Sequence, residues 1–536
     1  MPDQVKSFLG IDFGTSNSAI AKAWTDEDGH PTVNAILSPT NLPQLPTAVY
    51  QDEATWYVGQ DALDEAIAER EYLFTNFKTQ LLHPNIKLSA RNGDITIKDL
   101  TQKVIEQLLE NARQDGKDLA ASQIVVTHPV GSVWEKTMLG VYKELGLENI
   151  IPLSEPDAAL YYAHNQLRIF DERERIILLI DFGGGTCDFS LLRVKYDGRW
   201  PSRRPKAQVI HPDYYELGGS NLDLLIAEKV LQTHDFDTSF LKELKGEHPE
   251  TYHNFINKIK TAKERLSRKY NENNDAGQIA NIILQIPRYD DIPLSFSARD
   301  LKDWTADKIK TAFQQIFFEG IPDAPNHIPL FKRQTIRNET IAPEDVSLIL
   351  LTGGSSQFPW IYQDILPGMF RHLRNDGIHI LDSPHLSVAY GAALYAYDRH
   401  FSNGKTRIPR RTVEPLKIIL ADGSEFELIP QGTELPVKIE MSFPMLQTQN
   451  EIVISLVIGD MNRASNRYVS QGKREFNFRE PVQKGTIMSF IITIDELGEV
   501  RLNISPEDKP DISETKHFNM LELNWDNSHN RPSMLR

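Results

Sequence analysis

At 536 residues the chain is too long for one hydrophobic core and predicts roughly two to four domains. With 40% hydrophobic and 25% charged residues it has a globular rather than a disordered make-up, and a formal charge of −16 argues against a general nucleic-acid binder. A single cysteine, Cys187, excludes intrachain disulfides and multi-cysteine metal sites. The opening stretch "MPDQVKSFLGIDFG" has no basic segment leading into an apolar one, and no apolar run reaches the ~20 residues of a membrane helix. A soluble, cytoplasmic protein with no membrane association is expected.

Taken in order, "SFLGIDF" and "NSAIAKAW" read as two strands joined by a turn at Gly14, Thr15, Ser16 and Asn17. "DALDEAIAEREYLF" and "LTQKVIEQLLENAR" have helical spacing, the second lining up Val104, Ile105, Leu108, Leu109 and Ala112. "SQIVVTHPV" is a short buried strand stopped by Pro129, and "IILLIDFGGGTCDFSLLRV" is again strand, turn, strand. A polar helical stretch covers Asn221 to Lys269. "DVSLILLTGGSSQFPWIYQDIL" is a strand entering a glycine turn and a helix, and "SVAYGAALYAYDRH" is a small-residue helix suited to close packing. Strands and helices alternating on this scale predict an α/β architecture over residues 1–400.

Near residue 402 the texture changes. "FSNGKTRIPRRTVEP" is basic and proline-bearing, which predicts a linker over 401–414. Residues 415–505 then read as almost all β. Met488, Phe490, Ile492 and Ile494 alternate, "DELGE" turns the chain, and Val500, Leu502 and Ile504 alternate again, predicting a hairpin with one buried face. Residues 506–536 are polar and expected to be partly loose, with no helical lid.

The chemistry lies in a repeat. "LGIDFGTSNSAIAKA" and "LLIDFGGGTCDFSLL" each write an apolar strand, an Asp, a glycine-bearing turn and a second strand, about 170 residues apart. Such turns present backbone N–H groups as an anion cradle, and the Asp places a carboxylate beside it, able to hold Mg²⁺ directly or through water. One copy is more often a plain hairpin; two copies suggest the halves of a phosphate clamp. "TGGSSQ" supplies a third glycine turn, able to cover a sugar or base, and no strand–GxxxxGK[ST]–helix loop occurs in a fitting context. Cys187, inside the second turn, has no visible partner and is expected to be packed, and the histidines lack metal spacing.

"IDFGTSNSAIA" and "IDFGGGTCDFSLL" closely resemble the two phosphate segments of the actin-like ATPases, and among them those of the DnaK-type 70-kilodalton heat-shock chaperones. "IVVTHPV", "LSEPDAAL", "YELGGSNLD", "LILLTGGSSQFP" and "SPHLSVAYGAALYA" are similar to further segments of that family, in its order, across residues 7 to 400. "LIPQGTELPVKIE", "IVISLVIGD" and "FIITIDELGEVRLNIS" are similar to strands of its peptide-binding sandwich. The resemblance implies an α/β two-lobed, actin-like (ribonuclease H-like) ATPase domain followed by a small all-β sandwich.

It also implies roles. Asp12, Asp181 and Asp188 would organise Mg²⁺ and its waters. Gly14, Thr15, Ser16, Asn17, Gly183, Gly184 and Gly185 would cradle the phosphates of ATP or ADP. Lys78, Glu155, Asp181 and Thr186 would act at the γ-phosphate and attacking water. Gly218, Gly219, Lys263, Ser267, Gly353, Gly354 and Ser355 would hold the nucleotide's remainder. Ile452 and Ile454 match a strand lining the peptide groove, although burial in the core explains them nearly as well.

Three positions depart from the pattern: Glu264 and Gln357 stand where arginines are common and His385 where an acid is usual. Loss of cation stacking on the base implies affinity lower by ~0.5–2 kcal/mol. The basic linker departs from the family's apolar–acidic one, and the short tail leaves no room for the family's lid, so bound peptide would leave quickly. The leading expectation is a chaperone-like ATPase that hydrolyses ATP slowly to regulate its hold on unfolded or extended peptide, with J-domain and nucleotide-exchange partners implied by the family. The alternative is a nucleotide-stabilised scaffold with a dedicated partner and little turnover. A small-molecule kinase, which shares the clamp, is disfavoured by the C-terminal β segment.

Overall fold

The computed structural model describes residues 7–518 except 67–69, 82, 121, 130–131, 148–149, 168–173, 198–203, 274, 323–326, 334–339, 375–376, 402–411, 413–414, 420–423, 431–432, 459–469 and 496–499. The linker reading falls almost wholly, and the end of the tail entirely, outside these residues. The chain is mixed α/β with several sheets.

Two sheets carry the candidate site. The first has its longest path in the order Ile150–Ser154, Ser122–His128, Ser7–Asp12, Asn17–Thr25, Pro31–Ala35. The second runs Arg204–Tyr215, Cys187–Asp197, Arg175–Phe182, Val346–Thr352, Ile378–Ile380. Each pairs a central strand in parallel with one neighbour and in antiparallel with the other, the antiparallel partner being the second arm of its Asp-bearing hairpin. The central strands are apolar on both faces, Phe8 and Leu9 in one and Ile177 to Ile180 in the other, because helices cover both sides.

Two helices lie where the sheets meet. Glu155–Gln166 starts at the N-cap Ser154, whose hydroxyl accepts from the Asp157 N–H at 3.3 Å, with Pro156 in the first turn where its missing N–H costs nothing. Ser387–Phe401 packs against it so closely that a Cβ on Gly391 would stand 1.7 Å from the Ala158 carbonyl oxygen. Ala158, Ala159, Ala389, Ala392, Ala393 and Ala396 share one apolar cluster with Val125 of the first sheet and Leu179 and Leu350 of the second. The small residues therefore join both sheets through a thin layer, and the close packing expected of the small-residue helix is found.

One long helix follows its predicted periodicity. Ile97–Gln114 begins with a capping box between Thr96 and Asp99 and buries all five residues of its predicted face. The Asn221–Lys269 stretch resolves into Gly219–Gln232, Phe240–Glu247 and Pro249–Asn273. The helix expected from Asp61 to Phe74 is corrected: it spans only Gln60–Glu65, and Leu73–Thr75 is a strand pairing with Ala48–Asp52. Phe74 opposite Val49 gains more from the sheet than from helical propensity.

Beyond residue 415, two four-stranded antiparallel sheets are seen. One runs Glu425–Ile429, Leu416–Ile419, Gln449–Ile458, Ser470–Val482; the other runs Val437–Pro444, Ile487–Ile494, Val500–Pro506, Glu514–Phe518. Residues of both enter one apolar cluster, among them Ile454, Phe476, Phe490 and Leu502. The hairpin read from alternation forms in register, Ile492 opposite Leu502. Glu514–Phe518, read from sequence as loose, is a paired strand whose partner is Val500–Pro506.

Candidate nucleotide-binding site

The first turn is shaped by hydroxyls. The Gly14 N–H donates to Ser18 Oγ at 3.2 Å, and Thr47 Oγ1 donates to the Gly14 carbonyl at 2.9 Å. With its proton so placed, Thr47 accepts from Ser18 across 2.8 Å, closing a hydrogen-bonded ring that begins and ends on Gly14. The Thr47 N–H also donates to the Ser16 carbonyl at 2.9 Å. Thr15, Ser16 and Asn17 are thereby left partly exposed at the tip.

The second turn is shaped by backbone. The Gly183 N–H donates to the Thr186 carbonyl at 2.9 Å, and the Gly183 and Gly184 carbonyls accept from the Gly219 and Ser220 N–H groups at 3.1 and 2.8 Å. Ser355 Oγ also donates to the Gly183 carbonyl at 2.9 Å. A Cβ on Gly218 would stand 2.4 Å from the Gly184 carbonyl, so the turn and the helix start are in backbone contact.

The two turns face each other. A Cβ on Gly184 would meet Ser16 Oγ at 2.0 Å, and one on Gly185 would meet the Thr15 methyl at 2.9 Å. Residues far apart in sequence thus form opposite walls of one narrow gap.

Charge gathers beside this gap. Lys78 Nζ is 2.8 Å from Glu155 Oε1, with side chains 9% and 14% exposed. Glu155 opens its helix, where the helix dipole favours a carboxylate. Asp12 accepts from Thr127 Oγ1 at 3.0 Å, and Asp188 accepts from Thr186 Oγ1 at 2.8 Å. Asp181 and Asp188 are directly opposite across the antiparallel pair, a like-charge arrangement that costs stability unless something relieves it.

Asp12, Asp181 and Asp188 keep some open surface, yet desolvation is the main force on each. Burial, then Glu155, pushes Asp12 up to about 6 against the pull of Lys78 and Thr127. Burial, then Glu155, pushes Asp188 up to about 7 against Thr186 and Lys78. Asp181 is held well above the usual range by burial, Glu155, Asp188 and Asp12. Burial opposes the charge on Lys78, but Glu155, Asp12 and Asp188 outweigh it and hold its pKa above the ordinary value. Four carboxylates around one ammonium are under-compensated, and their all-oxygen donor set suits a hard cation such as Mg²⁺. Among the described residues no three His, Cys, Asp or Glu side chains converge closely enough to ligate a metal by themselves.

On the other flank, Lys263 Nζ lies 2.8 Å from Asp223 Oδ1 and donates to the Gly219 carbonyl at 3.1 Å. Ser267 Oγ donates to the Gln357 carbonyl at 3.4 Å, tying the helix Pro249–Asn273 to the third glycine turn. A Cβ on Gly353 would lie 2.4 Å from Asp181 Oδ1, so the third turn abuts the second hairpin. Glu264 and Gln357 are both exposed, and burial lowers the His385 pKa. Cys187 is buried opposite Phe182, and burial, then Asp188 and Asp181, keep its thiol protonated. Ile452 and Ile454 face the apolar cluster of the C-terminal sheets and are buried there, the outcome sequence had held nearly as good as the groove.

Sequence reasoning missed Ser18, Thr47, Thr127 and Asp223. Ser18 stands inside the quoted motif and Asp223 four residues after Gly219, where a helical turn brings both to one side, so those two carried a signal. Thr127 also stands inside a quoted segment, "IVVTHPV", though it meets Asp12 only through the tertiary fold, and nothing local marks Thr47.

A profile of the Hsp70 protein family matches residues 145–486. The chain is 24% identical over 549 aligned residues to the mitochondrial iron-sulfur cluster biogenesis chaperone of Saccharomyces cerevisiae, covering 95% of this chain and 77% of that one. It is 24% identical over 564 aligned residues to the chaperone protein dnaK of Thalassiosira pseudonana, covering 96% and 84%. The chain belongs to the Hsp70 protein family. Nucleotide and Mg²⁺ binding are general properties of that family. Among the described residues no helix is long and apolar enough to cross a membrane.

Proposed function

We propose that this protein is an ATP-dependent molecular chaperone: residues 1–400 bind and slowly hydrolyse ATP, and the β segment from 415 holds unfolded or extended peptide. The observation that carries the ATPase reading is the apposition of the two turns, Gly184 against Ser16 and Gly185 against Thr15, beside the Lys78–Glu155 pair. Phosphoryl transfer needs positioning and charge compensation more than covalent chemistry. The N–H groups of Thr15, Ser16 and Asn17 and of Gly184 and Gly185 would grip the phosphates from two sides, while those of Gly14 and Gly183 hold the turns in shape. Lys78 would offset charge growing on the γ-phosphate. Glu155, Asp181 and Thr186 would orient the attacking water, with Glu155 fixed in direction by Lys78. Mg²⁺, held by Asp12, Asp181 and Asp188 largely through waters, would supply electrostatic stabilisation of the phosphate oxygens.

We read the two C-terminal sheets as the family's peptide-binding sandwich, extended to Phe518. Burial of Ile452 and Ile454 supports a packed core there, so the peptide would be held by residues around that core. The names of the two relatives favour a chaperone over a small-molecule kinase.

The test is steady-state ATP hydrolysis by the whole chain, with and without an extended apolar peptide and with Asp181→Asn as the blank. Slow turnover that rises with peptide supports the proposal. ATP binding without turnover above the blank overturns it in favour of a nucleotide-stabilised scaffold.

A further inference from the structure

We infer that Asp223 is a positioning residue for nucleotide binding, acting through Lys263. The inference rests on the nucleotide reading of the site. Its basis is what surrounds Gly219, the first residue of the helix Gly219–Gln232. A Cβ placed on Gly219 would be 2.8 Å from Ser355 Oγ, 3.3 Å from Lys263 Nζ and 3.8 Å from the Gly183 carbonyl. The ammonium therefore stands at a helix N-terminus, against the second phosphate turn.

Both neighbours make that a poor place for a cation. The helix start is already the positive end of a dipole, and the Lys263 side chain is only 8% exposed, so little water stabilises its charge. Asp223, 6% exposed and one helical turn in, supplies the compensating charge at 2.8 Å. The Gly219 carbonyl takes one of the three ammonium donors, and Asp223 lies alongside as an ion pair. A remaining donor and the positive field of the helix start suit a phosphate or ribose oxygen beside the turn. Asp223 has no need to touch the nucleotide: it fixes where Lys263 sits. A plain tie between the helices Gly219–Gln232 and Pro249–Asn273 would predict lost stability without lost affinity.

The experiment is calorimetric titration of the full chain with ADP, for wild type, Asp223→Asn, Lys263→Met and the double variant, with each melting temperature measured alongside. Asp223→Asn keeps the shape and removes the charge. Each single variant is expected to bind ADP about tenfold more weakly, and the double no more weakly than Lys263→Met alone. Asp223→Glu, which restores the carboxylate, is expected to recover part of the loss and serves if the Asn variant does not fold. Affinity of Asp223→Asn within about twofold of wild type, or losses that multiply in the double variant, would overturn the inference. A fall in melting temperature with unchanged affinity would do the same. Wild type that takes up no ADP overturns the reading of the site and this inference together, whereas the other failures spare that reading.

Discussion

The two Asp-bearing hairpins share a sequence pattern and reach similar turns by different physics. The first is propped from outside by a hydroxyl ring through Ser18 and Thr47. The second is pressed into shape by backbone, with Gly218 against Gly184, and carries the heavier charge in facing Asp181 and Asp188. A duplicated motif thus need not mean duplicated work: the first turn chiefly supplies geometry, the second supplies electrostatics.

That division is open to attack from both sides. The largest effect is expected on the charged hairpin, where Asp181→Asn should lower turnover at least about a hundredfold while ADP still binds, because electrostatic preorganisation is lost but the cradle remains. Equal loss of turnover in Ser18→Ala, measured in the same ATPase assay, would break the comparison.

Next comes the backbone approach. Gly218→Ala places a methyl where only 2.4 Å is available to the Gly184 carbonyl, and neither backbone can swing aside as a side chain would. Overpacking of this kind should cost about 1–3 kcal/mol, read as a lower denaturant midpoint with unchanged slope. A neutral Gly218→Ala would show that the second turn yields more readily than its contacts imply.

A smaller change is expected at the hydroxyl ring. Thr47→Val keeps the shape but strands Ser18 and the Gly14 carbonyl, at a cost of about 1–2 kcal/mol, with nucleotide affinity falling as Gly14 loosens. Full affinity in a destabilised Thr47→Val protein would show that the ring serves the fold and not the cradle.

The most gradual effect is one of pH. Burial raises Asp12 to about 6 and Asp188 to about 7, so the folded state holds protons that the unfolded chain has released. Their contribution is complete below the ordinary value of 3.8 and is lost as pH rises through those two values. In chelator, the melting temperature should fall between about pH 4 and about pH 7, and Mg²⁺ with ADP should flatten the slope. A melting temperature that rises over that interval without metal would contradict the placement of these carboxylates.

Much of this was legible in the sequence because its signals were local. The hairpins are written as apolar strands with an Asp and a glycine turn, and the face of Ile97–Gln114 follows from its period. Resemblance then added Lys78, Glu155 and Lys263, which composition and spacing alone would have left on the surface. The misses were tertiary. Leu73 to Thr75 look helical until Ala48 to Tyr50 offer them a sheet edge, and Thr47 belongs to the turn only because the fold returns it there. Glu514 to Phe518 alternate too weakly to declare a strand, and only the partner Val500–Pro506 defines it.

The gap between the turns also sets a timetable. Its walls and flank come from Thr15, Gly185, Gly219, Lys263 and Ser355, so Ser355 must leave the ribosome before the full site can close. Synthesis runs N-terminus first, and nucleotide cannot reward folding of the first sheet while the second is unmade. Early-terminated chains would expose apolar strands with no ligand to rescue them.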